Sequence, residues 1–168
     1  MAAGDGAAAL AMFTHALQVN RRLGSERGVA MMTRRVGEAL VAQDRPREAI
    51  GPLTEALAFF TGRGDHYNRA RVLSGLARAL VADGRAADAR TALHDALDAA
   101  GAVGARREVA GIHESLADVA RLLGDPAAER RHLEQAVALF QELGARRGEA
   151  VAARLAELRR RPDPQAPR

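Results

Sequence analysis

The sequence predicts an all-α protein, an α-solenoid of antiparallel helix pairs, and three observations lead there. Sliding the chain by forty positions superposes Gly24, Gly64, Gly104 and Gly144, and likewise Ala16, Ala56, Ala96 and Ala136. Further columns read Phe13, Leu53, Leu93 and Leu133, then Leu17, Leu57, Leu97 and Val137, then Ala30, Ala70, Ala110 and Ala150. A fixed period of this length marks stacked supersecondary units. Within one period two apolar stripes follow each other, Val72, Leu73, Leu76, Ala77 and Leu80, then Ala89, Leu93, Ala96, Leu97 and Ala100. Steps of three and four place each stripe on one side of a helix. Between them, Gly84 in Asp83-Gly84-Arg85 ends the first helix in a left-handed conformation.

Taken in order, Gly4-Asp5-Gly6 aligns with Asp44-Arg45-Pro46 and Gly124-Asp125-Pro126, which are turns between the helices of a unit. The chain therefore opens on a half repeat, 4–24, whose helix from about Ala7 to Leu23 lacks its partner. Either it was excised from a longer protein, or this helix caps the stack or pairs with another subunit. Ser25 then caps the next helix. Repeat one covers 26–64, with helices near Arg27–Gln43 and Pro46–Thr61. Pro46 suits a first helical turn, where its missing N–H costs nothing. Asp65 opens repeat two, 65–104, and Asp125-Pro126 marks the turn of repeat three, 105–144. A final half repeat, 145–160, carries one helix from about Arg146 to Arg160. Three whole repeats and two halves give about eight helices in one domain, 1–160. The Pro-rich segment 161–168 cannot continue a helix and reads as a disordered tail.

Composition removes whole classes of chemistry. With no Cys there is no disulfide, thiolate zinc ligand or Cys nucleophile. All 25 basic residues are Arg, which rules out a Walker loop and its Lys, and the net charge of +4 is modest. Aromatics are 3% of the chain, too few to stack bases, so direct nucleic-acid binding is not expected. No stretch reaches the ~20 apolar residues of a membrane span and the start is not a signal peptide, so a cytoplasmic protein is expected. The five His residues show no metal-ligand spacing, and His113 falls where a large inward residue belongs. Glu114 and Asp118 lie one turn apart with nothing to sequester them. No cofactor, metal or catalytic residue is expected, and the protein is not read as an enzyme.

The spacing of large and small residues resembles the tetratricopeptide repeat. Repeat two carries it on Leu73, Leu76, Ala77, Ala89, Leu93 and Ala96, and repeat one on Val36, Gly37, Leu40, Ala49, Leu53 and Ala56. Repeat three has Leu116, Ala117, Leu133 and Ala136, but Glu129 replaces the first Ala after the turn. Small residues let two helices cross closely while large ones fill the grooves beside them. The forty-residue period exceeds the family's common ~34, which predicts a lengthened second helix and link. The segments Leu23–Ala30 and Leu143–Ala150 are similar to links in the tetratricopeptide sensor domains of large bacterial transcriptional activators.

The resemblance implies a right-handed superhelix whose first helices line a concave groove that binds a protein or peptide. Carried over by position, the groove residues are Met31, Arg34, Glu38, Arg71, Ser74, Arg78, Glu114, Asp118 and Arg121. Guanidinium groups can hold a carboxylate bidentately, so an acidic or C-terminal peptide near Arg34, Arg71 and Arg78 is one expectation. Ordinary one-turn pairs such as Arg34 with Glu38 are the other. The family's dicarboxylate clamp also relies on Lys and Asn, which do not stand here, so that activity is not implied. In the last helix Val151, Leu155 and Leu158 lie one place off the buried columns. They either pack on the preceding unit in a rotated helix or form a terminal interface, through which the half repeats would pair two chains as a homodimer. The function expected is thus a binding module in the sensor part of a bacterial regulator; the alternative is a small-molecule sensor or self-assembling scaffold.

Overall fold

The computed structural model describes residues 3–160, with side chains from Gly6 onward. The expected disordered tail, 161–168, lies outside the described residues. Among these there are eight helices and no strand: α1 (Ala3–Arg22), α2 (Glu26–Ala42), α3 (Pro46–Gly62), α4 (His66–Ala82), α5 (Ala86–Ala102), α6 (Arg106–Leu122), α7 (Pro126–Glu142) and α8 (Arg147–Arg160). The all-α class and its helix pairs are as the sequence predicts. The chain forms two compact units, Met1–Val103 and Gly104–Arg168. In the first, each of α1 to α4 packs on its successor and α2 also touches α4; in the second, α7 packs on both α6 and α8.

The period divides evenly. Helices α2 to α7 are each 17 residues long, and three residues separate each from the next within that run. The expected lengthening confined to the second helix is therefore corrected: both members of a pair grow alike. The reason lies in the reversals. A residue with positive φ recurs every twenty positions, at Gly24, Asp44, Gly64, Gly84, Gly104, Gly124 and Gly144. At most of them the amide one residue later bonds back over five residues, as Asp65 N–H to Phe60 O (3.0 Å) and Asp125 N–H to Ala120 O (2.9 Å). This is the Schellman closure, which satisfies the last helical carbonyls and favours Gly at its left-handed residue.

The next helix is then opened by a cap. Ser25, Asp65 and Asp125 accept the amides of Gly28, Asn68 and Ala128, each three residues on. Pro46 and Pro126 occupy the first helical turn. The start of α1 differs from expectation, because Gly4-Asp5-Gly6 continues the helix instead of forming a turn. A tertiary contact there outweighs the poor helix propensity of Gly: the side-chain amide of Gln43 donates to the Gly6 carbonyl at 2.9 Å.

Small and large columns meet as the repeat requires. Ala49, Ala56, Ala89, Ala96 and Ala136 are fully buried, as are Leu53, Leu93 and Leu133. A Cβ at Gly37 would stand 2.6 Å from Leu53 Cγ, so α2 and α3 are closer there than any larger residue allows. Truncating such a leucine to Ala costs about 2–5 kcal/mol. In the second unit, Val151 and Leu155 are buried with Leu133, Ala136 and Phe140, and Leu158 packs against them. Their stripe is covered within the unit, so it does not offer the exposed face that a terminal interface through Val151, Leu155 and Leu158 needs.

Two outcomes test these assignments. Gly124→Ala, at φ 72, is expected to lose about 1–2 kcal/mol of stability in urea unfolding. Gly111→Ala, inside α6 with nothing within 4 Å of the added carbon, should gain about 0.5–1 kcal/mol. Asp65 supplies the second. Burial pushes its carboxyl up, but the Asn68 main-chain and side-chain amides and Arg27 outweigh burial and leave it below the usual carboxylate range. An acid depressed on folding stabilises above its unfolded pKa and loses that contribution as pH falls through the folded value. Asp65→Ala should therefore cost about 1 kcal/mol in neutral thermal melts, and the difference from the parent should shrink in acid.

Candidate functional site

The predicted groove residues fall into two sets, one in each unit. Met31, Arg34 and Glu38 lie on α2 and Arg71, Ser74 and Arg78 on α4, neighbouring helices of the first unit. Glu114, Asp118 and Arg121 lie on α6 in the second.

In the first unit the arginines differ sharply. Arg34 is 0% exposed, which corrects its expected place as a surface residue that grips a ligand. It is covered because it sits inside the α2–α4 contact, where Thr33 beside it is also buried. Its Nη1 donates to Glu38, while Nε and Nη2 have no hydrogen-bond partner. Burial pushes the Arg34 pKa down and Glu38 opposes this, while Arg71 and Arg35 lower it further. Glu38 is shared, since its other oxygen accepts Arg35 Nη1 at 3.2 Å. Arg71 is half-buried, its guanidinium 5.8 Å from the Tyr67 ring centre, and Arg78 is exposed. Neither forms an ion pair among the described residues. The Ser74 hydroxyl donates to Ala70 O (3.0 Å), and Met31 packs on the core. The α2–α4 face thus carries Arg34, Arg35, Arg71 and Arg78 against the single carboxylate of Glu38.

In the second unit the predicted carboxylates are already engaged. Arg147 of α8 holds Glu114 bidentately, Nε to Oε2 at 2.6 Å and Nη2 to Oε1 at 3.1 Å. Hydrogen bonding to Glu114 raises the Arg147 pKa, as a charge-assisted pair should. Arg154 donates to Asp118 at 2.6 Å, and Arg121 stands 3.9 Å from the same carboxylate. Sequence reasoning named neither Arg147 nor Arg154. A signal existed in the spacing, because paired charges recur 36 or 37 residues apart: Glu26 with Arg63, Arg47 with Asp83, Arg106 with Glu142, and Asp118 with Arg154.

Elsewhere His113 Nδ1 stands 3.1 Å from His132 Nδ1, with ring centres 5.4 Å apart. A hydrogen bond between two ring nitrogens needs one proton between them, and it ties α6 to α7. Among the described residues no group of three or more His, Asp or Glu could hold a metal ion, and no helix is long and apolar enough to cross a membrane. A cavity of about 720 Å³ opens between α1, α2 and α3, floored by Val29, Ala30 and Phe59, with Arg63 over the Phe59 ring at 5.1 Å.

Comparison with known proteins finds a repeat family in part of the chain. Residues 68–142 match the tetratricopeptide repeat family model. No curated protein sequence matches the chain. Among solved structures it is similar to BtubC (BKLC) from P. vanneervenii, at 20% identity and a TM-score of 0.75, over 91% of this chain and 65% of that one. It is also similar to a Rap protein complexed with Competence and Sporulation Factor, at 18% identity and a TM-score of 0.81, over 93% of this chain and 44% of that one. Nearly identical TPR-like repeats from Podosopora anserina align at 14% identity and a TM-score of 0.56, over 93% of this chain and 88% of theirs. At these identities the likeness is one of fold. The chain spans less than two thirds of the length of the first two.

The Arg34–Glu38 arrangement makes an asymmetric prediction. Glu38→Gln should destabilise by about 1–3 kcal/mol, because the buried Arg34 guanidinium loses its counter-charge and keeps only a neutral amide acceptor. Arg34→Met should be neutral or stabilising, since an apolar side chain of similar size removes the buried charge altogether. Thermal unfolding of the two variants against the parent checks both signs.

Proposed function

We propose that the chain is an interaction module that docks a protein or peptide, and that the α2–α4 face of the first unit receives an acidic segment of that partner. The observation that carries this is the charge count on one face: four guanidinium groups, one carboxylate, and Arg71 and Arg78 without an ion-pair partner among the described residues. A partner carboxylate meeting these forks gains paired, charge-assisted hydrogen bonds, and the surplus positive field speeds its approach. Arg34 contributes from beneath, as a fixed charge that the ligand does not touch. The tetratricopeptide match over 68–142, which includes α4, supports an interaction role. So does the Rap protein of the same fold, whose solved complex holds Competence and Sporulation Factor. The links Leu23–Ala30 and Leu143–Ala150 support a finer reading, in which the module serves as the sensor part of a bacterial transcriptional regulator.

Fluorescence anisotropy with a short Glu-rich peptide tests the face. Binding is expected, weakening as salt rises, and Arg71→Glu with Arg78→Glu should reduce it by at least about tenfold, or 1.4 kcal/mol. A Lys-rich peptide that binds equally well, or a double variant that binds like the parent, would remove the proposal.

A further inference from the structure

Glu129 breaks the rule of its own column. The first small residue after the turn is Ala49 in repeat one and Ala89 in repeat two, both fully buried. In repeat three the same place holds a glutamate that is only 6% exposed. Its main-chain amide bonds to Asp125 O, but its carboxylate has no hydrogen bond or ion pair among the described residues. The carboxylate oxygens are not among the sealed, unpartnered polar atoms of the described residues, so a side chain otherwise buried presents an open, unmatched charge where the other repeats place alanine.

The surroundings indicate what it accepts. Glu129 lines a cavity of about 260 Å³ within the second unit, together with Asp118, Arg121, Arg154, Glu157 and Leu158. Both arginines of that wall turn to Asp118, Arg154 at 2.6 Å and Arg121 at 3.9 Å, and Arg154 also approaches Glu114 at 4.0 Å. Glu129 and Glu157 are left as the two carboxylates without a cation. No third metal ligand joins them among the described residues, so the site is not built for a metal ion.

We propose that this cavity binds an organic cation, a primary ammonium or guanidinium group on an alkyl stem. Glu129 accepts the N–H donors at the floor, Glu157 adds a second negative charge, and Leu158 lies along the stem. The volume falls below the roughly 300–1,000 Å³ of pockets for drug-sized ligands and suits the end of one extended side chain or a small amine. The stem-and-head chemistry is that of Lys and Arg, which bury their methylenes and present the charge at the tip. The cation comes from a partner's side chain or from a free amine. The proposal is independent of the α2–α4 face, which lies in the other unit and attracts the opposite charge.

Isothermal titration calorimetry decides it with three probes: cadaverine as a free amine, acetyl-lysine methylamide as a side chain in peptide form, and valerate as an anion of similar stem. At least one of the two cations should bind and valerate should not. Tighter binding of cadaverine identifies a free amine as the source, and tighter binding of the lysine derivative a partner side chain. Glu129→Gln, which keeps the shape and removes the charge, should weaken the cation by about tenfold or more. Glu129→Ala, which restores the alanine of the other repeats, should abolish binding. Failure of both cations to bind, unchanged affinity in Glu129→Gln, retained binding in Glu129→Ala, or equal binding of valerate would each overturn the assignment.

Discussion

The structure depends on how closely paired helices approach at columns of residues with almost no side chain. Where Gly37 faces Leu53, and where Ala49, Ala56, Ala89, Ala96 and Ala136 are sealed, nothing but a backbone and a methyl separates neighbours. Dispersion and burial are strongest at such contacts because a leucine from one helix enters a groove of the other without leaving a void. Equal helices of 17 residues follow from that constraint together with reversals every twenty positions, since each small column must return to the same depth in every unit. Asp44 shows how firmly the reversal is set. A non-glycine residue there is held at φ 57 by the same Schellman closure that follows five of the six positive-φ glycines.

Much of this was legible in the sequence because helical period, cap residues and positive-φ glycines are local signals. Ser25, Asp65 and Asp125 announce their helices within four residues, and the structure places each cap as read. What local pattern could not give was depth. Arg34 looks like a surface arginine one turn before a glutamate, and only the packing of α2 on α4 shows that it is sealed. Likewise Glu114 and Asp118 read as free acids until α8 brings Arg147 and Arg154 across to them. The last helix was ambiguous for the same reason. A stripe shifted by one position is compatible with exposure or with rotation, and the burial of Val151 and Leu155 comes from the shape of the preceding helix, which no window of α8 contains. Glu129, by contrast, was visible as an anomaly in its column before its surroundings gave it a meaning.

Charge is arranged differently in the two units. Ion pairs join antiparallel helix ends 36 or 37 residues apart, as Glu26–Arg63 and Arg106–Glu142 do. That offset is what a hairpin of two such helices and a short link produces between its open ends. Exposed pairs of this kind contribute little to stability, about 0–1 kcal/mol each. Their larger effect is to neutralise some surfaces and leave others with a net sign. The α6 carboxylates are balanced by α8, whereas the α2–α4 face keeps its cations. Recognition in such a chain is therefore set by which charges the scaffold leaves unmatched, more than by which charges it contains.

The first helix gives the fold a built-in gradient. Phe13, Ala9 and Ala16 occupy the positions of Leu53, Ala49 and Ala56, yet they remain partly accessible while their counterparts are sealed. Local opening is cheapest where fewest side chains are sealed, so α1 opens at a smaller free-energy cost than α3. The amide protons of α1 consequently trade with solvent deuterons well before those of α3.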